Sequence, residues 1–229
     1  MKKGKLIVID GTDGSGKATQ VDLLVKRLKK EGKTVKVVDF PEYYKNFFGA
    51  FIGHCLSEQY YNFLNVHPKI ASVLYAADRF ESSKELNGWL KKGYIVVANR
   101  YVSASQIHQG GKIKNAKKRN DFMKWLDQME YEVFGIPRPD VTFYLSLPIN
   151  IILQLLKKRE SSKMKRAYLK KKKDVHEADV NFLINSRKSA QKLVKEIPNF
   201  IKIDCAHKGN ILPREVIHEK IYEKIKKVI

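Results

Sequence analysis

The segment Gly11-Thr12-Asp13-Gly14-Ser15-Gly16-Lys17 constrains this chain more than any other, because of what stands on either side of it. Before it, Leu6-Ile7-Val8-Ile9 within Lys5–Asp10 is a continuous apolar run, as a buried strand requires. After it, Val21, Leu24, Val25 and Leu28 recur at helical spacing until Gly32 stops the pattern. A GxxxxGK loop between a strand and a helix is a phosphate cradle. Its glycines let the backbone curl so that successive N–H groups converge on a phosphate, and the helix N-terminus adds positive partial charge. Lys17 would then reach the β- and γ-phosphates of a nucleoside triphosphate. A glycine-rich turn without a ligand is the weaker account, since strand, glycines, lysine and helix occur together.

The remaining chain continues the alternation. Strands are predicted at Thr34–Phe40, Tyr94–Ala98, Val141–Leu145 and Phe200–Ile203, and helices at 46–57, at 68–92 as one long element, and at 117–134, 149–159 and 176–196. A last helix carries Ile217, Ile221, Ile225 and Val228 on one stripe, and residues 100–116 are expected to form a polar loop. Nearly all-apolar strands alternating with helices predict an α/β fold, a five-stranded parallel sheet flanked by helices. No Pro/Gly/Ser-rich linker divides the 229 residues, so a single domain over 1–229 is expected, with insertions at about 42–66 and 157–174.

Composition bounds the setting. At 43% hydrophobic residues the chain can bury a core without metal or disulfide, and Cys55 and Cys205 suit a reducing compartment. Leu6–Ile9 is too short for a signal or membrane segment, so no membrane association and a cytoplasmic location are expected. The balance of 45 Lys+Arg against 24 Asp+Glu, a net charge of +21, attracts polyanions without choosing among them.

Two positions qualify the loop. Ala18 stands where the common pattern has the Ser/Thr hydroxyl that ligates Mg²⁺, with Thr19 one residue on. Asp13 places a carboxylate beside the triphosphate, which points to a role with metal or the transferring group rather than to a simple helix-start acid. Further segments then converge on the strand ends, where parallel sheets bind ligands. These are Asp39-Phe40-Pro41-Glu42-Tyr43; Tyr75, Asp78 and Arg79 on one helix face; Asn99-Arg100-Tyr101; and Ser105-Gln106-Ile107-His108-Gln109-Gly110-Gly111.

With Gly11–Gln20, Asp39-Phe40-Pro41, Ala77-Asp78-Arg79-Phe80, Arg100-Tyr101 and Gln109-Gly110-Gly111 in this order and spacing, the chain resembles the thymidylate kinase family of P-loop nucleoside monophosphate kinases along nearly its whole length. The resemblance implies transfer of the ATP γ-phosphoryl group to dTMP, giving dTDP and ADP, with Mg²⁺ as cofactor and a homodimer as the assembly. It assigns ATP binding to Gly11, Thr12, Asp13, Gly14, Ser15, Gly16, Lys17, Ala18 and Thr19. It assigns dTMP binding to Asp13, Phe40, Pro41, Tyr43, Tyr75, Arg79, Arg100, Gln106 and His108. Within that set Tyr75 stacks on the thymine, Arg79 hydrogen-bonds the base, Arg100 grips the acceptor phosphate, and Gln106 and His108 face base and sugar. Tyr43 stands where several relatives have arginine, and Asn99 replaces the usual aspartate of Asp-Arg, so Asp13 is the candidate metal ligand.

Residues 157–173 hold ten basic side chains and correspond to the family's lid over ATP. Gly14 occupies the place of a catalytic arginine in eukaryotic-type members, so by resemblance to the bacterial type the arginine is expected from the lid, at Arg159 or Arg166. The catalytic set is then Asp13, Lys17, Arg100, Arg159 and Arg166. Two other readings stay open: a kinase for another (deoxy)nucleoside monophosphate such as dUMP, or a basic nucleic-acid-binding protein on a P-loop scaffold. Against the second, no basic stripe interleaved with aromatics is visible, and residues 43–63 are aromatic but poor in charge.

Overall fold

The computed structural model describes residues 3–57, 63–161 and 179–229, apart from the side chains at 64 and 159–161. Five parallel strands form the central sheet: β1 (Lys5–Gly11), β2 (Val35–Asp39), β3 (Ile95–Asn99), β4 (Val141–Ser146) and β5 (Phe200–Asp204), in the order β2-β3-β1-β4-β5. Because β1 lies centrally, its register pairs Ile9 with Asn99 of β3 and with Phe143 of β4. From β1 the chain goes to the edge strand β2, returns to β3 and then crosses β1 to β4 and β5, so the order reverses next to this strand and opens a crevice at its C-terminal end.

Alternation along β1 explains why its apolar run is unbroken. Ile7 and Ile9 enter one core layer with Val21, Leu24 and Leu28, while Leu6 and Val8 enter the opposite layer with Val96 and Ala98. Both faces are covered by helices. These are α1 (Lys17–Lys30), α2 (Phe47–Leu56), α3 (Pro68–Glu81), α4 (Ser83–Lys91), α5 (Val102–Gly111), α6 (Ala116–Asp127), α7 (Ile149–Ser161), α8 (Val180–Glu196) and α9 (Arg214–Ile225). A short 3₁₀ turn at Phe63–Asn65 precedes α3, and a π turn, Gln128–Val133, extends α6. The paired strands β6 (Ala206–His207) and β7 (Asn210–Ile211) were not anticipated.

Two expectations are corrected. The helix predicted over 68–92 is two helices broken at Ser82, whose hydroxyl bonds the Glu42 carboxylate and accepts from Asn46 Nδ2 at 3.0 Å. Just beyond, Ser83 Oγ donates to the Phe80 carbonyl at 2.7 Å, so side chains replace the helical partners at the joint. The predicted loop at 100–116 is largely α5, a helix buried on several sides. Its serines, glutamines and histidine gave a loop-like composition, but Ser103, Ser105 and His108 bond to neighbouring elements instead of solvent. Gly111 lets α8 approach closely: a Cβ there would meet the Asn185 backbone at 3.0 Å.

The expected lid at 157–174 falls mostly outside the described residues, as does Arg166, and the side chain of Arg159 lies outside them too.

Candidate active site

The phosphate loop grows out of β1. Gly14 (φ 80°) and Gly16 (φ 87°) take the left-handed conformation that closes the curl, and Gly16 is the N-cap of α1, where no side chain caps the helix. Lys17 folds back across the loop: its ammonium donates to the carbonyls of Gly11 at 2.8 Å and Thr12 at 3.1 Å and stands 3.6 Å from Asp13 Oδ1. Beneath it, Asp10 accepts from the Gly11 N–H at 2.8 Å and from Ser103 Oγ of α5. Complete burial pushes the Asp10 carboxyl above its ordinary range, and Lys17, Ser103 and Gly11 work against that.

A cleft opens over the loop, walled by Asp13, Gly14, Gly16, Lys17, Ala18 and Thr19, with Asn99, Arg100 and Leu155–Leu156 of α7 opposite. Gly11, Thr12 and Ser15 are buried and do not line it. Ala18 and Thr19 are exposed on the first turn of α1.

Arg100 follows β3 and carries an unusual backbone. Its φ of 63° is left-handed, which for a residue with a Cβ costs about 1 kcal/mol or more. The strain is held by β1: the Arg100 N–H donates to Ile9 O at 3.0 Å. So placed, the guanidinium pairs with Asp13 Oδ1. Burial alone would lower its pKa, but Asp13, Tyr43, Asp39 and Asp10 hold it well above the ordinary value.

A second cleft lies beyond this pair. It is lined by Phe40, Pro41, Tyr43, Leu56, Tyr75, Arg79, Ala104, Ser105, His108 and Gln109, together with Asp13 and Arg100. Tyr75 leans on Phe63 with ring centroids 5.9 Å apart. Buried Arg79 donates from Nε to Glu130 Oε2 at 2.9 Å, from Nη2 to Glu130 Oε1 and to Ser105 Oγ at 3.1 Å, and from Nη1 to Tyr101 O at 3.3 Å. His108 stacks on Phe182 (5.6 Å, 11°) with Nδ1 3.0 Å from Ser186 Oγ, and burial pushes its pKa down to about 4.

Of the residues expected to meet the acceptor, eight line this cleft: Asp13, Phe40, Pro41, Tyr43, Tyr75, Arg79, Arg100 and His108. Gln106 does not. It is half-buried on another side of α5, with its carbonyl accepting from Ser189 Oγ at 3.0 Å. Helical geometry explains the exchange: Ser105, His108 and Gln109 lie at i, i+3 and i+4 and share a face, and Gln106 does not. Sequence reasoning missed Ser105 and Gln109 because it treated the segment as a loop. It missed Glu130 because nothing local connects that residue to Arg79.

Asn99 Oδ1 on the wall of the loop cleft and Gln109 Oε1 in the second cleft are buried and have no hydrogen-bond partner among the described residues. Buried polar atoms are usually satisfied, so these mark where a ligand would complete the bonding.

A glycine loop at the end of the central parallel strand, with a separate acceptor cleft meeting it at an ion pair, is the layout of a P-loop phosphotransferase. Comparison with known proteins narrows the class. The thymidylate kinase family model matches residues 9–216. Thymidylate kinase of Caldicellulosiruptor saccharolyticus is 31% identical over 229 residues, covering 99% of this chain and 96% of that protein. That of Thermosipho africanus is 28% identical over 209 residues, covering 86% and 96%. A solved structure of thymidylate kinase from Candida albicans shares the fold, with a TM-score of 0.73 at 21% identity over 98% of this chain and 92% of the other. The chain belongs to the thymidylate kinase family, whose members are nucleoside monophosphate kinases.

Proposed function

We propose that this enzyme transfers the γ-phosphoryl group of ATP to dTMP, giving ADP and dTDP. The observation that carries the proposal is the Asp13–Arg100 pair, because both residues line both clefts. A donor phosphate over the loop and an acceptor phosphate beside Arg100 would meet there. An acceptor oxygen attacks the γ-phosphorus, the bond to the β,γ-bridging oxygen breaks, and that oxygen leaves on ADP. Lys17 neutralises the donor phosphates, and Arg100, freed in part from Asp13, grips the acceptor phosphate through its planar fork. Tyr75 stacks on the base, Phe40 and Pro41 close its other side, and Arg79 and His108 complete the acceptor contacts, with Tyr43 at the edge.

The residues fit Mg²⁺ as a hard cation held mainly by phosphate and water. Asn99 Oδ1 is a buried oxygen on the wall of the donor cleft without a partner among the described residues, and Asp13 supplies the neighbouring carboxylate. With Ala18 lacking a hydroxyl, these two would hold the ion, which supplies charge neutralisation across the β- and γ-phosphates. Arg159 or Arg166 supplies the further cation of the transition state from the 157–174 lid.

Homodimer formation is part of the proposal. Ile70, Val73 and Phe80 of α3 are exposed along one side, with Phe47 of α2 and Tyr44 exposed nearby in the chain. An apolar surface of this kind suits a second copy. None of the helices among the described residues is long and apolar enough to cross a membrane, and we place the enzyme in the cytoplasm. A coupled ADP-release assay with ATP, Mg²⁺ and a panel of nucleoside monophosphates tests the reading. Turnover of dTMP is expected; turnover of dUMP or another monophosphate in its place, or of none, would refute it.

A further inference from the structure

We infer that Glu130 is a positioning residue that fixes how Arg79 presents itself to the acceptor base, selecting a base that offers a carbonyl oxygen over one that offers an amino group. The inference rests on the proposal that Arg79 meets the base of dTMP, and it concerns a residue outside the cleft.

A guanidinium has five N–H donors and no acceptor. Glu130 takes Nε–H and one Nη2–H through its two carboxylate oxygens, Ser105 Oγ takes the other Nη2–H, and the Tyr101 carbonyl takes one on Nη1. Among the described residues this leaves a single Nη1–H without an acceptor, on a residue that lines the acceptor cleft. A lone, fixed donor bonds a carbonyl well and an exocyclic amino group not at all. A pyrimidine carrying an amino group there would bury two donors against each other.

Glu130 is completely buried, and Arg79 nearly so. A buried ion pair gains little net stability over apolar packing, because desolvation of both charges offsets their attraction. What it supplies is direction. The side-on, two-bond grip locks the plane of the guanidinium, which a single hydrogen bond would leave free to turn. The carboxylate is carried by the π turn Gln128–Val133, a backbone irregularity that recurs at functional sites. Phe80 and Phe134 (centroids 5.2 Å apart) brace the end of that turn against α3, the helix that bears Arg79.

The test is steady-state kinetics of the full-length enzyme with dTMP and with the amino-bearing deoxycytidine monophosphate. Wild type is compared with Glu130→Gln, Glu130→Asp and Ser105→Ala. In Glu130→Gln one oxygen becomes an NH₂ facing an Arg79 donor, so the fork must turn. We expect the KM for dTMP to rise about tenfold, the KM for ATP to stay within about twofold, and the dTMP preference in kcat/KM to fall about tenfold. Glu130→Asp keeps the charge and should give an intermediate loss. Ser105→Ala frees one Nη2 donor and should lower the preference by a smaller factor, and this holds even if the glutamine variant fails to fold. A lower Tm with both KM values and the preference unchanged would show a purely structural pair and overturn the inference. Absence of dTMP turnover in the wild type would instead overturn the proposed function, and this inference with it.

Discussion

His108 offers a quantitative check on how dry the acceptor cleft is. Its imidazole is buried against Phe182, and its pKa falls from 6.5 to about 4 chiefly through burial, with Lys17, Arg100 and Lys112 adding to the fall and Asp13 opposing it. Between those two values the unfolded chain binds a proton that the folded protein refuses. Stability is therefore full above pH 6.5 and drains away as pH falls toward 4. Integrating the linkage gives a loss of about 2 kcal/mol at about pH 5, against less than ~0.1 kcal/mol at about pH 7.5. Asp78 acts in the opposite sense. Burial pushes its carboxyl up to about 6, so between 3.8 and 6 the fold binds its proton better and acid adds stability. A single pH profile would blur the two, so the assay is a double difference. His108→Asn keeps a polar atom near the Nδ1 position for Ser186 and removes the titration, and Asp78 is common to both proteins. Urea unfolding at the two pH values should show the variant less stable than wild type near pH 7.5, with that deficit shrinking or reversing by about 2 kcal/mol near pH 5. A deficit that is the same at both pH values would refute the argument, because it would mean the imidazole is hydrated in the fold.

Other outcomes follow from the same geometry. Arg100→Ala should raise the acceptor KM and lower kcat, about 10²- to 10³-fold together, with no loss of ATP affinity; an equal loss of ATP affinity by isothermal titration would refute the placement. Arg100→Gly should share that kinetic defect yet be more stable than Arg100→Ala by about 1 kcal/mol in denaturant titration, since glycine tolerates the left-handed φ of 63°. Gly49→Ala should lower Tm strongly, by about 2 kcal/mol or more in stability, because its Cβ would lie 2.3 Å from Glu42 O and 2.8 Å from Asp78 Oδ1. Gly88→Ala meets nothing within 4 Å inside α4 and should stabilise by about 0.5–1 kcal/mol; a lower Tm would contradict that. Ile70→Glu should yield a monomer in sedimentation, and a monomeric wild type at working concentration would contradict the proposed dimer.

The parts legible in the sequence were those governed by local pattern. Leu6–Ile9 had to be a two-sided buried strand, and the glycines with Lys17 had to be a loop at its end, because chemistry and position agreed. Ser103, Ser105 and His108 misled because helix formation there depends on partners far along the chain: Asp10, Arg79 and Ser186 satisfy side chains that would otherwise favour a loop. The same distance hid the joint at Ser82, where the bonds come from Glu42 and Asn46. Asp13 and Arg100 were each singled out, yet their pairing across 87 positions was visible only in the fold.

That pairing has a thermodynamic consequence. Asp13 and Arg100 belong to both clefts, so among the described residues one ion pair stands between the two ligand sites, and each ligand must rearrange it. Whichever ligand arrives first bears the cost of loosening the pair, and the second finds that work already done. Donor and acceptor affinities are then linked, and by reciprocity each ligand changes the other's dissociation constant by the same factor. Synergy between the two substrates would thus be a property of a single carboxylate and a single guanidinium, with no movement of helices required.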